Sequence, residues 1–198
     1  MTGVDMTLLR RRVRHCGYDV RQFSYSSVRL SVKDNASRLQ HFVSLLDTDS
    51  IHFVGHSLGG LIIRQYMHDY AALNEGPCVR RIVTLGTPHN GSVVARTMAE
   101  TPLRYLLGRS FTHGLDGHLP PWTGSQALGV IAGSWNFGLG LLVSALSGHG
   151  DGTVALTETR LEGMADYITV PVSHTALLFS AVVARQVCAF LHDGRFEH

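Results

Sequence analysis

Amphipathic helices alternate with short apolar runs along this chain, and this alternation restricts its possible folds more than any other feature. Apolar residues recur at helical spacing over 8–16, 39–46, 61–73 and 175–191. Between them lie runs that indicate strands, over 18–25, 51–54, 81–85, 129–133 and 167–172. Because such alternation is typical of strands joined by crossover helices, it predicts an α/β fold, with a mostly parallel sheet and helices on both faces.

Length and composition favour one globular domain over residues 1–198, since 44% of the residues are hydrophobic and 16% are charged. The stretch 87–124 breaks the alternation, and a connection of that length predicts a small cap or lid insertion at about 92–124. No apolar run is long enough to cross a bilayer, so no transmembrane segment is expected.

The charge pattern excludes nucleic acid as an expected partner. The formal net charge is only +2, and the basic cluster at 10–14 alternates with apolar residues at helical spacing. Cys16, Cys78 and Cys188 form no C-x-x-C pair, which predicts three reduced core cysteines and no metal site. The N-terminus lacks the pattern of a signal peptide, which favours a cytoplasmic location.

The pentapeptide Gly55-His56-Ser57-Leu58-Gly59 matches G-x-S-x-G and lies between a predicted strand and a predicted helix. This context predicts a sharp turn that exposes the Ser57 hydroxyl as a nucleophile. Side chains at Gly55 and Gly59 are expected to collide with neighbouring backbone. The Leu58 N–H, at the start of the helix, is expected to bind a developing oxyanion. An ordinary glycine-rich turn is the alternative.

A serine nucleophile needs a histidine base, and the base needs a carboxylate to orient it. His174 follows the last predicted strand, where this chain order expects the base. Asp151 lies in a glycine-rich loop after the preceding strand, where the carboxylate could reach across to the imidazole. A capping or core role for His174 and a simple turn role for Asp151 remain the alternatives. Less favoured candidates are His56, His113, His118, His149, His192, His198, Asp69, Asp116, Asp166, Asp193, Glu158 and Glu162.

With these residues assigned, the chain resembles the lipase and esterase branch of the α/β hydrolases, including bacterial triacylglycerol-lipase-like and GPI-inositol-deacylase-like proteins. The resemblance covers 51–191 and depends on three segments, 54–60 (VGHSLGG), 84–92 (TLGTPHNGS) and 150–154 (GDGTV), with His174 beyond them. It implies that the G-T-P-H segment lines the floor of an acyl pocket and that a mobile cap follows. No cofactor is implied.

The family's first buried strand and its H-G loop are not found in the sequence. Either the true start lies upstream, or residues near Met1 supply the second oxyanion donor. An absent strand leaves a sheet edge open, and a homodimer that covers this edge is one expectation.

The resulting hypothesis is a serine hydrolase that cleaves a small-molecule ester or lipid through an acyl-enzyme on Ser57. Thioesterase and acyltransferase chemistry use the same triad and stay open. A weak or silent remnant of the fold that acts as an interaction module is the alternative from another class. The sequence does not identify the residues that bind the substrate.

Overall fold

The structure is a computed structural model that describes residues 6–26, 29–70, 76–93, 96–97, 117–136 and 149–198. Four parallel strands form one sheet in the order β1-β2-β3-β4. The strands are β1 Ser50–His56, β2 Cys78–Leu85, β3 Ala127–Gly133 and β4 Asp166–Val170. The predicted parallel sheet is therefore confirmed.

Five α-helices have both ends within the described ranges, and they lie around the sheet. They are α1 Thr7–His15, α2 Val32–Ser44, α3 Leu58–Tyr70, the short α4 Leu156–Thr159 and α5 Ala181–Asp193. The last helix was predicted over 175–191, but a 3-10 helix at Ala176–Leu178 precedes α5. The Ser180 hydroxyl accepts from the Val183 N–H, and this N-cap starts a separate helix.

Apolar side chains divide between the two faces of the sheet. On one face α2 and α3 pack against Ile82 and Leu128. On the opposite face α1 and α5 pack against Val83 and Ile131. Because neighbouring strand residues point to opposite faces, Ile82 and Val83 join different clusters. Helices therefore cover both faces, as predicted.

The segment 18–25 forms no strand in the described part of the chain, so that predicted strand is wrong. Helix side chains bind this part of the backbone instead: Arg14 donates to the Val20 carbonyl, and the Asn35 side chain bonds to both backbone groups of Ser26, directly after the segment. Within the described sheet β1 pairs with β2 alone and is an edge strand.

Cys16 and Cys188 form a disulfide, so the prediction of three reduced cysteines is wrong for this pair. The bond joins the end of α1 to α5 across 172 residues of sequence. No local spacing could indicate it, because the two helices meet only through the fold. Cys78 is free, as predicted, but it is exposed, so the prediction of a core position is wrong for it.

Most of the predicted cap, 92–124, lies outside the described residues, which omit 94–95 and 98–116 in this part of the chain. Among the helices that are described, none is both long and apolar enough to span a membrane. The single-domain interpretation and the cytoplasmic location stay predictions.

Candidate active site

Ser57 occupies the turn between β1 and α3, and its backbone is left-handed, with φ at 53°. No other described non-glycine residue has a positive φ. This conformation costs roughly 1–2 kcal/mol for a residue with a Cβ. It is held by hydrogen bonds: the Ser57 N–H donates to the Leu85 carbonyl at 2.9 Å, and its carbonyl accepts from Gly60 N–H and the Thr87 hydroxyl.

Two glycines make room for this turn. A Cβ on Gly55 would lie 2.6 Å from Ile63 Cδ1 and 2.8 Å from the Gly60 nitrogen. A Cβ on Gly60 would collide with the Thr87 side chain. The predicted crowding at Gly59 is wrong, because its nearest neighbour would be the Tyr25 hydroxyl at 3.5 Å, an ordinary contact. The tight packing is therefore between Gly60 and the G-T-P-H segment.

Leu58 is the first residue of α3 and is buried. N–H groups in the first turn of a helix have no acceptor within that helix, so the Leu58 N–H has no partner in α3, and its role as an oxyanion donor stays a prediction. The residues next to Met1, one of the two expected sources of a second donor, lie outside the described ranges.

His174 and Asp151 form a close pair, in which the carboxylate is buried and the imidazole is partly buried. His174 Nδ1 is 2.7 Å from Asp151 Oδ2, and the Asp151 side chain is 1% exposed. The other carboxylate oxygen, Oδ1, accepts from the N–H groups of Thr153 and Val154 at 3.0 and 2.8 Å. The backbone N–H of His174 also donates to the backbone carbonyl of Asp151, at 2.9 Å. Both backbone and side chain thus fix the imidazole on the carboxylate.

Gly86 connects this pair to the serine turn. Its φ is +54°, and a Cβ there would lie 3.0 Å from both Asp151 Oδ2 and His174 Nδ1. Gly86 directly follows Leu85, which accepts the Ser57 N–H. Ser57, Asp151 and His174 therefore lie at the carboxyl edge of one sheet. Within the described chain the Ser57 hydroxyl makes no hydrogen bond to His174, and such bonds are often long without substrate.

The less favoured acids have other roles. Asp166 accepts from the N–H groups of Tyr167 and Phe196 and contacts His198 Nε2. Buried Glu158 accepts from the N–H groups of Val93 and Ala155. Neither carboxylate contacts His174.

Most of the other histidines lie away from the pair. His192 and His198 have largely exposed side chains. His118 and His149 are exposed, and His113 lies outside the described residues.

His56 is a site residue whose contacts were not predicted from the sequence. Its Nε2 is 3.0 Å from the His174 carbonyl oxygen, and the two rings lie 4.6 Å apart. Burial, together with the nearby His174, lowers the pKa of His56 to about 3. The sequence signal that could have indicated this role is a polar residue at the end of an apolar strand, directly before the nucleophile.

Arg64 on α3 is a second residue that was not predicted. Its guanidinium is buried and donates to the carbonyls of His89, Leu119 and Pro120. Burial lowers its pKa. These acceptors lie near the two ends of the long connection 87–124. The two ends also approach each other closely, because a Cβ on Gly117 would lie 3.0 Å from the Asn90 carbonyl oxygen. Arg64 thus joins both ends of the connection to the helix that follows Ser57.

His89 of the G-T-P-H segment is buried beside Arg64. Its Nε2 is 3.1 Å from the Thr84 hydroxyl, and burial, with the nearby Arg64, lowers its pKa to about 3. His89 is therefore a neutral, structural histidine. In the described part of the chain no group of three or more histidine, cysteine or acidic side chains is arranged to hold a metal ion.

Comparison with known proteins supports the fold. A family model described as alpha/beta hydrolase of unknown function (DUF915) matches residues 26–102. No curated protein matches the sequence.

Several solved structures are similar in fold. The mature lipase BlEst2 of Bacillus licheniformis superposes with a TM-score of 0.74 at 18% identity, over 93% of this chain and 82% of that one. The metagenomic carboxyl esterase MGS0156 superposes with a TM-score of 0.58 at 19% identity, over 75% of this chain and 52% of that one. Phospholipase PlaB from Legionella pneumophila superposes with a TM-score of 0.62 at 14% identity, over 97% of this chain and 53% of that one.

The chain therefore spans about half the length of the esterase and of the phospholipase, and most of the mature lipase. At these identities the likeness shows the fold alone. The parallel sheet, the helices on both faces, the partial match to the family model and the structural likeness together show that the chain has an α/β-hydrolase fold.

Proposed function

We propose that this chain hydrolyses carboxylic esters through an acyl-enzyme on Ser57, with His174 as general base and Asp151 as the carboxylate that orients it. One observation carries the proposal: a serine with φ at 53° lies at the sheet edge that also holds a histidine 2.7 Å from a buried carboxylate. Backbone strain outside glycine persists only where the surrounding structure enforces it, and it is concentrated at functional sites.

The reaction follows from the roles of these atoms. Ser57 Oγ attacks the ester carbonyl carbon while His174 Nε2 takes the hydroxyl proton. Asp151 Oδ2 stabilises the imidazolium that forms, and the Leu58 N–H donates to the new oxyanion. His174 then gives the proton to the leaving alkoxide, which departs as the alcohol. A water activated by His174 finally cleaves the acyl-enzyme and releases the carboxylic acid.

The expected substrate is a small ester or a lipid. The similar structures are those of a lipase, a carboxyl esterase and a phospholipase, and these names support an ester substrate for this chain. Thioesterase and acyltransferase reactions proceed through the same acyl-enzyme, so the acceptor must be determined by assay.

Turnover of p-nitrophenyl acetate and p-nitrophenyl octanoate tests the proposal. We expect the wild-type chain to hydrolyse at least one of them and Ser57→Ala to lose that activity. Ser37→Ala is the matched control, because Ser37 is an exposed serine on α2. The circular dichroism spectrum and melting temperature of Ser57→Ala should stay near those of the wild type.

Two results would contradict the proposal. Equal rates for Ser57→Ala and Ser37→Ala would remove Ser57 from the chemistry. A folded wild-type chain that turns over neither p-nitrophenyl ester, nor an acyl thioester assayed in parallel, would favour a silent member of the fold that acts as an interaction module.

A further inference from the structure

We infer that His56 is a positioning residue, which holds the base loop against the nucleophile turn through a hydrogen bond from its Nε2–H to the His174 carbonyl. The inference rests on the proposed function, since it concerns the same base. It starts from the 3.0 Å contact between His56 Nε2 and that carbonyl oxygen.

The direction of this hydrogen bond follows from its atoms. A carbonyl oxygen only accepts, so His56 Nε2 must carry the proton. His56 Nδ1 is buried and has no hydrogen-bond partner among the described residues. A proton on Nδ1 would therefore add an unpaired buried charge. His56 is consequently fixed as the neutral Nε2–H tautomer and serves as a permanent donor.

The strand alternation sets this orientation. His52, Val54 and His56 share one face of β1, and Val54 packs into the cluster that includes α5 and the 3-10 helix residues Leu177 and Leu178. The His174 loop lies on that same face, directly before the 3-10 helix. His56 is 4% exposed, so packing on this face holds its ring below His174.

His174 needs such a restraint because it lies in neither a helix nor a strand. Its N–H and its ring are fixed on Asp151, and His56 supplies the donor to its carbonyl. Since His56 is covalently next to Ser57, this bond links the nucleophile and the base directly. A misplacement of about 1 Å between reacting groups can cost about a hundredfold in rate.

The test compares three substitutions of His56 with a control on the same strand. Glutamine places an amide N–H near the position of imidazole Nε2, asparagine is too short to do so, and leucine has no donor. We expect His56→Leu and His56→Asn to lower kcat about a hundredfold with little change in KM, and His56→Gln to recover at least about tenfold of that loss. His52→Leu should keep the wild-type kcat, because His52 faces Tyr18.

Melting temperatures show that each variant is folded. A wild-type kcat in His56→Leu, or equal losses in the asparagine and glutamine variants, would overturn the inference. A change in KM alone would also overturn it, because a displaced base slows the chemical step.

A readout that does not need turnover separates this inference from the proposed function. If the wild-type chain hydrolyses no ester, the His174 Nδ1 proton can still be followed by NMR. Its exchange with water should be faster in His56→Asn than in His56→Gln, and equal exchange rates would overturn the inference.

Discussion

Asp151→Asn should disable the base by changing its tautomer rather than by removing it. Asp151 Oδ1 accepts from two backbone N–H groups, at 3.0 and 2.8 Å. Asparagine has one oxygen, and those two donors will keep it in the Oδ1 position. Its NH2 group then faces His174 Nδ1, which must accept, so the ring proton moves to Nε2.

With a proton on Nε2, His174 cannot take the Ser57 hydroxyl proton. A wrong tautomer of this kind costs about 10⁴-fold in kcat, or about 5 kcal/mol of transition-state stabilisation. The backbone hydrogen bonds of residue 151 are retained, so the melting temperature should change little. His174→Ala should leave less residual activity, since no imidazole remains.

Asp166→Asn is the matched control for this prediction. Asp166 also accepts from two backbone N–H groups, at 2.8 and 2.7 Å, and contacts a histidine, but this histidine is the exposed His198. The assay is kcat on p-nitrophenyl acetate for both variants. If folded Asp166→Asn lost more activity than folded Asp151→Asn, or if Asp151→Asn stayed within about tenfold of the wild type, the reasoning would be refuted.

Four further predictions concern stability and selectivity. Ser57→Gly should be inactive yet up to about 1–2 kcal/mol more stable, because glycine adopts φ near 53° without strain; a lower free energy of unfolding would argue against that strain. Cys16→Ser breaks the disulfide and should lower the free energy of unfolding by about 2–5 kcal/mol in denaturant titrations, against an unchanged value if the bond does not form. Arg64→Met leaves three carbonyls without their donor, so it should lower the free energy of unfolding by at least about 2 kcal/mol. It should also change the ratio of the rates on the octanoyl and acetyl esters, and an unchanged ratio would show that Arg64 does not influence acyl-chain selection. His56 and His89 have folded-state pKa values of about 3, below the unfolded value of about 6.5, so the unfolded chain binds a proton at each histidine before the folded chain does. The free energy of unfolding should therefore be fully retained above about pH 6.5, and each histidine should lower it by about 1.4 kcal/mol per pH unit as the pH falls from there towards about 3. His89→Gln should reduce the slope of the free energy of unfolding against pH, and a slope equal to that of the wild type would contradict the account.

Sequence patterns predicted the elements whose residues bury a regular face. The stripe that includes Leu9 and Val13 predicted α1, and both residues are buried in the structure. The order of strand, serine turn and helix likewise predicted the turn at Ser57, because local glycines permit it. The Asp151–His174 contact was predicted from chain order, since parallel strands bring their carboxyl ends to one edge.

The failures concern features that depend on distant partners. Alternation over 18–25 predicted a strand, but a strand needs a neighbour, and this segment bonds to helix side chains instead. The disulfide joins helices 172 residues apart in sequence. His56 and Arg64 lie in apolar elements, and the carbonyls that explain them come from loops that no local pattern connects to them.

The central claim is that Ser57 is an activated nucleophile, and covalent labelling with a fluorophosphonate tests it most directly. Such a probe reacts with a serine that has a base beside it, and peptide mass spectrometry identifies the modified residue. We predict one adduct per chain, on Ser57, with labelling lost in Ser57→Ala and strongly slowed in His174→Ala. A folded wild-type chain that stays unlabelled, or an adduct on another serine, would contradict the account.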